Sequence, residues 1–495
     1  MDFDLFSSNS SMEKPKKLHA ALLSSPGMGH LIPIMELGKC LVADHGFEVT
    51  IFVVPSQASR AEAEIIDSAM TPKLLDIVEL PAPDLTAAGL GPNASMVERL
   101  AVMMREARSA FRSALKAMEA PPDVLIVDLF GTEHLCMGDE LRIPKYVYVP
   151  SNAWFLALLL HSPVLDKEVK GEYVDQTELL KIPGCKPVRP EDVVDPMLDR
   201  SNQQYHEYLR IAGEIAMGDG ILLNVWEDLQ AETLAALRNE EFLGRAVNGP
   251  VYTVGPLIRP VRPAGLGKEL LEWLDKQPRE SVLLVSFGSG GTMSAEQLAE
   301  LAWGLELSRQ RFIWILRKPI VESLDGSFFD VGKGGGDDEL SSFLPDGFAV
   351  RTRDVGLIIP LWGPQLDILS HPSVGGFLSH CGWNSTLESI VNGVPMIAWP
   401  LYAEQRQNAT LLAEEIGVVI RPKELPSKKI VGREEIEKLA RMIIAKKEGH
   451  QMRARVKELK STAEKAVTKG GTSYESLRRM KEDCKMRIHQ INKAH

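Results

Sequence analysis

A strand–helix alternation runs through this chain of 495 residues twice, and few folds accommodate such a rhythm. Residues 18–24 form a mostly apolar run, interrupted only by His19, that suits a strand buried on both faces. Pro26-Gly27-Met28-Gly29 breaks the run, and residues 30–41 carry apolar positions at helical spacing. Residues 49–54, 124–127 and 146–149 read as further strands, and 95–118 as one long amphipathic helix. The stretch 256–267 (PLIRPVRPAGLG) is a linker by its Pro and Gly content. A second series follows, with strands over 282–286, 312–316, 375–378 and 396–398, a helix over 295–307, and Lys- and Glu-rich helices beyond Val431. This repeated pattern predicts an α/β molecule of two doubly wound parallel sheets, and the length requires two cores. Ligands in such sheets bind outside the carboxyl ends of the strands, so the cleft between the halves is the expected site.

Bulk properties exclude several classes. The net charge of −11 argues against nucleic acid or an anionic membrane surface as the main partner. Cys40, Cys136, Cys185, Cys381 and Cys484 are scattered and contain no C-x-x-C pair, which disfavours a disulfide framework and a zinc site and favours a reducing cytosol. The leader MDFDLFSSNSSMEKPKK resembles neither a signal nor a transit peptide, and the greasiest piece, residues 154–161, is too short to span a bilayer. Residues 323–339, with the glycine run 332–336 and Asp337-Asp338, read as a mobile loop without chemistry.

Chemistry concentrates in residues 362–405, WGPQLDILSHPSVGGFLSHCGWNSTLESIVNGVPMIAWPLYAEQ. Trp362 follows an apolar strand end, where an indole is either core or a stacking platform. His380-Cys381-Gly382-Trp383-Asn384-Ser385 passes from a strand into a helix, which directs free N–H groups and the positive dipole end at one spot. Asn384 and Ser385 either cap that helix or add donors to a bound phosphate, and His380 offers a further bond. Glu388 lies one turn along, and Glu404-Gln405 pairs a carboxylate with an amide at the start of the next helix. Ser286-Phe287-Gly288-Ser289-Gly290-Gly291-Thr292 is a second small-residue turn, at the first strand of the second series.

In the first half, His30 stands just past a strand-to-helix turn, where an imidazole can accept a proton near neutral pH. Asp128 ends another strand, as a helix cap or as a carboxylate orienting His30. A nicotinamide-binding fingerprint fails, because Gly27-Met28-Gly29 is followed by His30-Leu31-Ile32, and no phosphate-binding loop of the GxxxxGK type exists. A non-catalytic small-molecule binder is disfavoured by the presence of both His30 and Asp128.

Residues 362–405 resemble, without a gap, the signature box of plant family 1 UDP-glycosyltransferases, and segments such as DLFGTE, IPGCKPV and VSFGSGGT look most like the branch that glucosylates hydroquinone-type phenols. The resemblance implies the GT-B arrangement: leader 1–17, acceptor domain 18–255, linker 256–268, donor domain 269–472, and a terminal helix 473–495 crossing back to the first domain. It implies uracil stacking on Trp362 with Gly363 and Gln365 beside the nucleoside, and diphosphate contacts from Ser289, His380, Asn384 and Ser385. Glu388 falls to the ribose, Glu404 and Gln405 to the hexose, and Trp383 and Tyr402 complete the donor set. Many relatives carry Asp where Glu404 stands, a departure that bears on hexose identity, while Gln405 matches the residue associated with glucose. The implied activity is inverting transfer from UDP-glucose to a small aromatic hydroxyl, including hydroxyindoles, with His30 as base and Asp128 as its partner. No cofactor, no metal, a monomer and a cytoplasmic location are expected. Trp154, Phe155 and Leu156 are either acceptor lining or core.

Overall fold

The computed structural model describes residues 17–56, 75–85, 89–91, 94–261, 267–319, 342–426 and 429–493; the loop over 323–339 and most of the leader lie outside them. Two sheets form, and every pairing in both is parallel. The first contains β1 (His19–Ser24), β2 (Glu48–Val53), β3 (Asp76–Glu79), β4 (Val124–Asp128), β5 (Lys145–Val149), β6 (Ile221–Leu223) and β7 (Val251–Thr253), in the order β3-β2-β1-β4-β5-β6-β7. The second contains β8 (Val282–Ser286), β9 (Arg311–Leu316), β10 (Gly356–Pro360), β11 (Val374–Ser379), β12 (Met396–Ala398) and β13 (Val419–Ile420), in the order β10-β9-β8-β11-β12-β13. Each order reverses once, between β1 and β4 and between β8 and β11. Those reversals are the crevices where doubly wound sheets take ligands.

The inner strands are buried along their whole length, as the apolar runs require. Four strands were not expected from the sequence: β3, β6, β7 and β13, of four, three, three and two residues. The expected helix over 95–118 is two helices, Met96–Glu106 (α1) and Arg108–Ala117 (α2). At Ala107 the amide is shared between the Met103 and Arg105 carbonyls, and Met104 and Phe111, one from each helix, enter one core.

One cluster of buried apolar side chains is continuous from Ala21 and Leu23 in the first lobe to Trp383 and Leu412 in the second. The lobes are therefore packed together as well as tethered. Helix Thr472–Lys493 lies on the first lobe, where Leu477, Met480 and Cys484 join the cluster that covers β1 and β2. Tyr146 Oη donates to Asp483 Oδ2 (2.6 Å), Arg487 Nη1 to Asp219 Oδ1 (2.9 Å), and Lys481 to the His45 carbonyl. No described helix is long and apolar enough to cross a membrane.

Candidate active site

His30 and Asp128 meet because their strands are neighbours. β1 pairs with β4 through Leu23↔Val127, so the chain leaves both strands at the same edge. Asp128 ends β4, and His30 occupies the first turn of helix Met28–Ala43. His30 Nδ1 lies 2.7 Å from Asp128 Oδ2 and 3.1 Å from Oδ1. Asp128 is fully buried and makes no capping bond to the turn after it; its carboxylate is bonded to His30 instead. With Nδ1 donating to the carboxylate, Nε2 carries the free lone pair, the form a general base needs. Burial works against protonation of this ring, but the Asp128 charge and hydrogen bond, helped by Glu404, outweigh it and hold His30 above its ordinary value. Glu404 belongs to the other lobe, so the two half-sites already feel each other electrostatically.

The second switch point brings two turns together by the same logic. β11 pairs with β8 through Ser379↔Ser286, which brings the His380 turn beside the Gly288-Ser289 turn. The His380 ring is wedged between two glycines: a Cβ on Gly288 would meet its Nε2 at 2.6 Å, and one on Gly382 at 2.5 Å. Gly288 also has φ +71°, so glycine is required there twice over. Burial pushes the His380 pKa down to about 4, which makes it a neutral hydrogen-bonding group; its Nδ1 has no protein partner. Arg317 braces the facing turn by donating to the Gly288 carbonyl (3.3 Å) and to that of Ser289.

Helix Trp383–Asn392 starts immediately behind His380, with Gly382 at its cap and no side-chain cap bond. Asn384 and Ser385 therefore do not cap the helix. Asn384 Nδ2 donates to the Gly29 carbonyl beside His30 (3.1 Å), a direct tie between the half-sites. Trp383 is buried and its indole N–H donates to the Asn224 carbonyl of the first lobe (2.8 Å). Gln365 joins the floor: its amide nitrogen donates to Ser385 Oγ (2.9 Å) and Glu388 Oε2 (2.7 Å), and its oxygen accepts from Ser286 Oγ (2.8 Å). Burial raises the Glu388 pKa, against the opposing effects of Gln365 and Arg259. Cys381 is buried with its thiol pushed up to about 12, so it is no nucleophile.

Trp362 keeps 48% of its surface exposed although it is the largest side-chain type, which suits a stacking platform better than a core residue. The Gly363 carbonyl closes the turn by accepting from the Gln365 amide (2.8 Å). The side-chain oxygen of Gln405 accepts from the Leu401 and Tyr402 amides (2.9 and 3.1 Å), so its amide donor is what remains to offer a ligand. Leu361, Cys381 and Ala403 all have positive φ (63°, 64° and 57°), each next to a candidate residue. Left-handed backbone at non-glycine positions costs free energy and collects at functional sites.

A single cavity brings these groups together: His30 and every donor candidate line it, while Asp128 stands behind His30. Its first-lobe wall is apolar, with Met28, Ile32, Leu129, Phe130 and Phe155 among the lining residues. Of the three first-lobe apolar candidates, only Phe155 faces the cavity; Trp154 and Leu156 are core, because the helix over 153–168 turns them away from it. A reading of the sequence missed Arg259, the one Lys or Arg lining the cavity among the described residues. It sits in the linker, where composition signalled only flexibility, and its buried Nε has no hydrogen-bond partner. Among the described residues no group of His, Cys, Asp and Glu is disposed to hold a metal ion.

A family model described as UDP-glucoronosyl and UDP-glucosyl transferase matches residues 205–432. Anthocyanidin 3-O-glucosyltransferase 5 of Manihot esculenta is 58% identical over 458 residues, 92% of this chain and 93% of the relative. Among solved structures, TcCGT1 in complex with UDP is similar with a TM-score of 0.89 at 48% identity, over 95% of this chain and 100% of that one. Phytolacca americana UGT2, complexed with UDP-2fluoro-glucose and pterostilbene, is similar with a TM-score of 0.83 at 38% identity, over 94% and 100%. With its two facing parallel sheets and this degree of likeness along nearly its whole length, the chain belongs to the plant family 1 UDP-glycosyltransferases.

Proposed function

We propose that this enzyme transfers glucose from UDP-glucose to the hydroxyl of a small aromatic acceptor, with inversion, giving a β-glucoside. The observation that carries the reading is His30, bonded to buried Asp128 and facing the same cavity as the helix N-terminus at Trp383. His30 Nε2 takes the acceptor proton as the acceptor oxygen forms its bond to the anomeric carbon. The bond from that carbon to the UDP oxygen breaks on the opposite face. The proton stays on the imidazole, where Asp128 offsets its charge, and UDP departs with the electron pair toward the helix N-terminus, His380 and Asn384. Trp362, Gly363, Gln365 and Glu388 hold the nucleoside, Ser289 and Ser385 assist at the phosphates, and Glu404 and Gln405 hold the hexose beside Trp383 and Tyr402.

The apolar wall at Phe130 and Phe155 supports a flat aromatic acceptor, and pterostilbene, held by the Phytolacca relative, has that character. Incubation with UDP-glucose and a panel of phenols, phenylpropanoids and hydroxyindoles, read by product mass, is expected to give monoglucosides of several. Transfer to none of them, or consumption of UDP-galactose in preference, would refute the assignment. Arg259, the helix dipole and neutral donors supply the charge compensation a diphosphate needs, so turnover is expected to persist in excess EDTA. Loss of turnover in EDTA that added Mg²⁺ restores would contradict that. Five cysteines without a disulfide support a cytosolic enzyme.

A further inference from the structure

The turn that carries Glu404 and Gln405 is held by the opposite lobe. Asp195 lies in a short 3-10 turn, Asp195–Leu198, of the first lobe, and its neighbours Val194 and Pro196 line the acceptor side of the cavity. Its carboxylate accepts from the Ala403 amide (2.5 Å) and from Arg406, and its own amide donates to the Ala403 carbonyl (3.1 Å). Both backbone groups of Ala403 are thus bonded to one residue of the other lobe. Ala403 is the residue with φ +57° immediately before Glu404. A left-handed alanine persists only where its surroundings over-determine it, and here Asp195 does so.

The contact extends along the next helix, Gln405–Thr410. Gln407 Nε2 donates to the Trp154 carbonyl (3.1 Å), and Asn408 Oδ1 accepts from Asn152 Nδ2 (2.6 Å). Asn408 also donates to Glu404 Oε1 (3.3 Å), which passes the restraint from the first lobe to the carboxylate itself. Asn152 and Trp154 flank Ser151 and Phe155, two further lining residues of the acceptor side. The wall of the acceptor pocket and the turn facing the sugar are one hydrogen-bonded unit.

We infer that Asp195 is a positioning residue that sets hexose recognition from the acceptor lobe, through its grip on Ala403 and Arg406. The inference rests on the hexose role proposed above for Glu404 and Gln405. Its consequence is that acceptor-side changes near residue 195 alter the choice of sugar, although Asp195 is on the lobe that does not hold the nucleotide.

The test uses Asp195→Ala and Asp195→Asn in the full chain, with UDP inhibition and UDP-glucose turnover measured side by side. Glu414→Gln is the control, because it breaks another interlobe pair, Arg189 Nη2 to Glu414 Oε1 (2.6 Å), away from the turn. For Asp195→Ala the inhibition constant of UDP is expected to stay within about twofold, while kcat/KM for UDP-glucose falls at least about tenfold and the preference for glucose over galactose shrinks. Asp195→Asn, which keeps one acceptor oxygen for the Ala403 amide, should show the same split at smaller amplitude, and serves alone if the alanine variant does not fold. Glu414→Gln should match the wild type. Unchanged UDP-glucose kinetics would overturn the inference, as would a loss of UDP affinity in parallel with turnover, the mark of general damage between the lobes. A wild-type enzyme inert toward UDP-glucose would instead sink the proposed function on which it rests.

Discussion

His30 and Asp128 are 98 residues apart in the chain and 2.7 Å apart in space, and their pairing defines what the pH profile must look like. In the proposed reaction His30 acts as a base when neutral. Its pKa lies above the ordinary histidine value because Asp128 favours the imidazolium more than burial opposes it, so kcat/KM should rise with pH through that raised pKa. Asp128→Asn removes the stabilising charge and leaves burial in place, which should move the acid limb to lower pH and reduce the plateau by about 10²-fold. His30→Ala should lose at least about 10²-fold in kcat with little change in UDP affinity. A variant at position 30 that keeps half the turnover, or an acid limb unmoved in Asp128→Asn, contradicts the pairing as the source of the base. The candidates of the second lobe other than Ser289 stood out in the sequence because they crowd into residues 362–405, a span where spacing and chemistry reinforce each other. Arg259 and Asp195 did not, since an arginine in a proline-rich linker and an aspartate in an irregular turn acquire meaning only from what the other lobe brings to them.

Secondary-structure elements explain why the site sits where it does. β1 and β4 in one sheet, and β8 and β11 in the other, are the neighbours between which strand order reverses, and each pair presents one group of candidate residues at its carboxyl edge. The longer strands, and three-residue β12 within the alternation of the second series, were readable from apolar runs; β6, β7 and β13 are too short to show a period of their own. The break at Ala107 was invisible for a similar reason, as both helices share one apolar pattern. Helix Thr472–Lys493 contributes to the first lobe's core through Met480, which is fully buried. Met480→Ala should cost about 2–5 kcal/mol, read as a lower urea midpoint at unchanged slope. A midpoint equal to the wild type would mean that this helix does not support the first lobe.

At the scale of the whole molecule, the two lobes are fastened by a shared apolar cluster, by Trp383 to Asn224, by Asn384 to Gly29 and by Asp195 to Ala403. Three of those four ties involve residues at the cavity, so the residues that fasten the lobes are also residues that line the candidate site. The proposed reaction requires a base in one lobe to meet the anomeric carbon of a sugar held by the other, on the face opposite to UDP. The configuration of the product reports that geometry most directly. Proton NMR of the glucoside formed from UDP-glucose and hydroquinone, recorded before any anomer can equilibrate, should show the large anomeric coupling of a β-linkage. An α-glucoside would contradict attack from the His30 side.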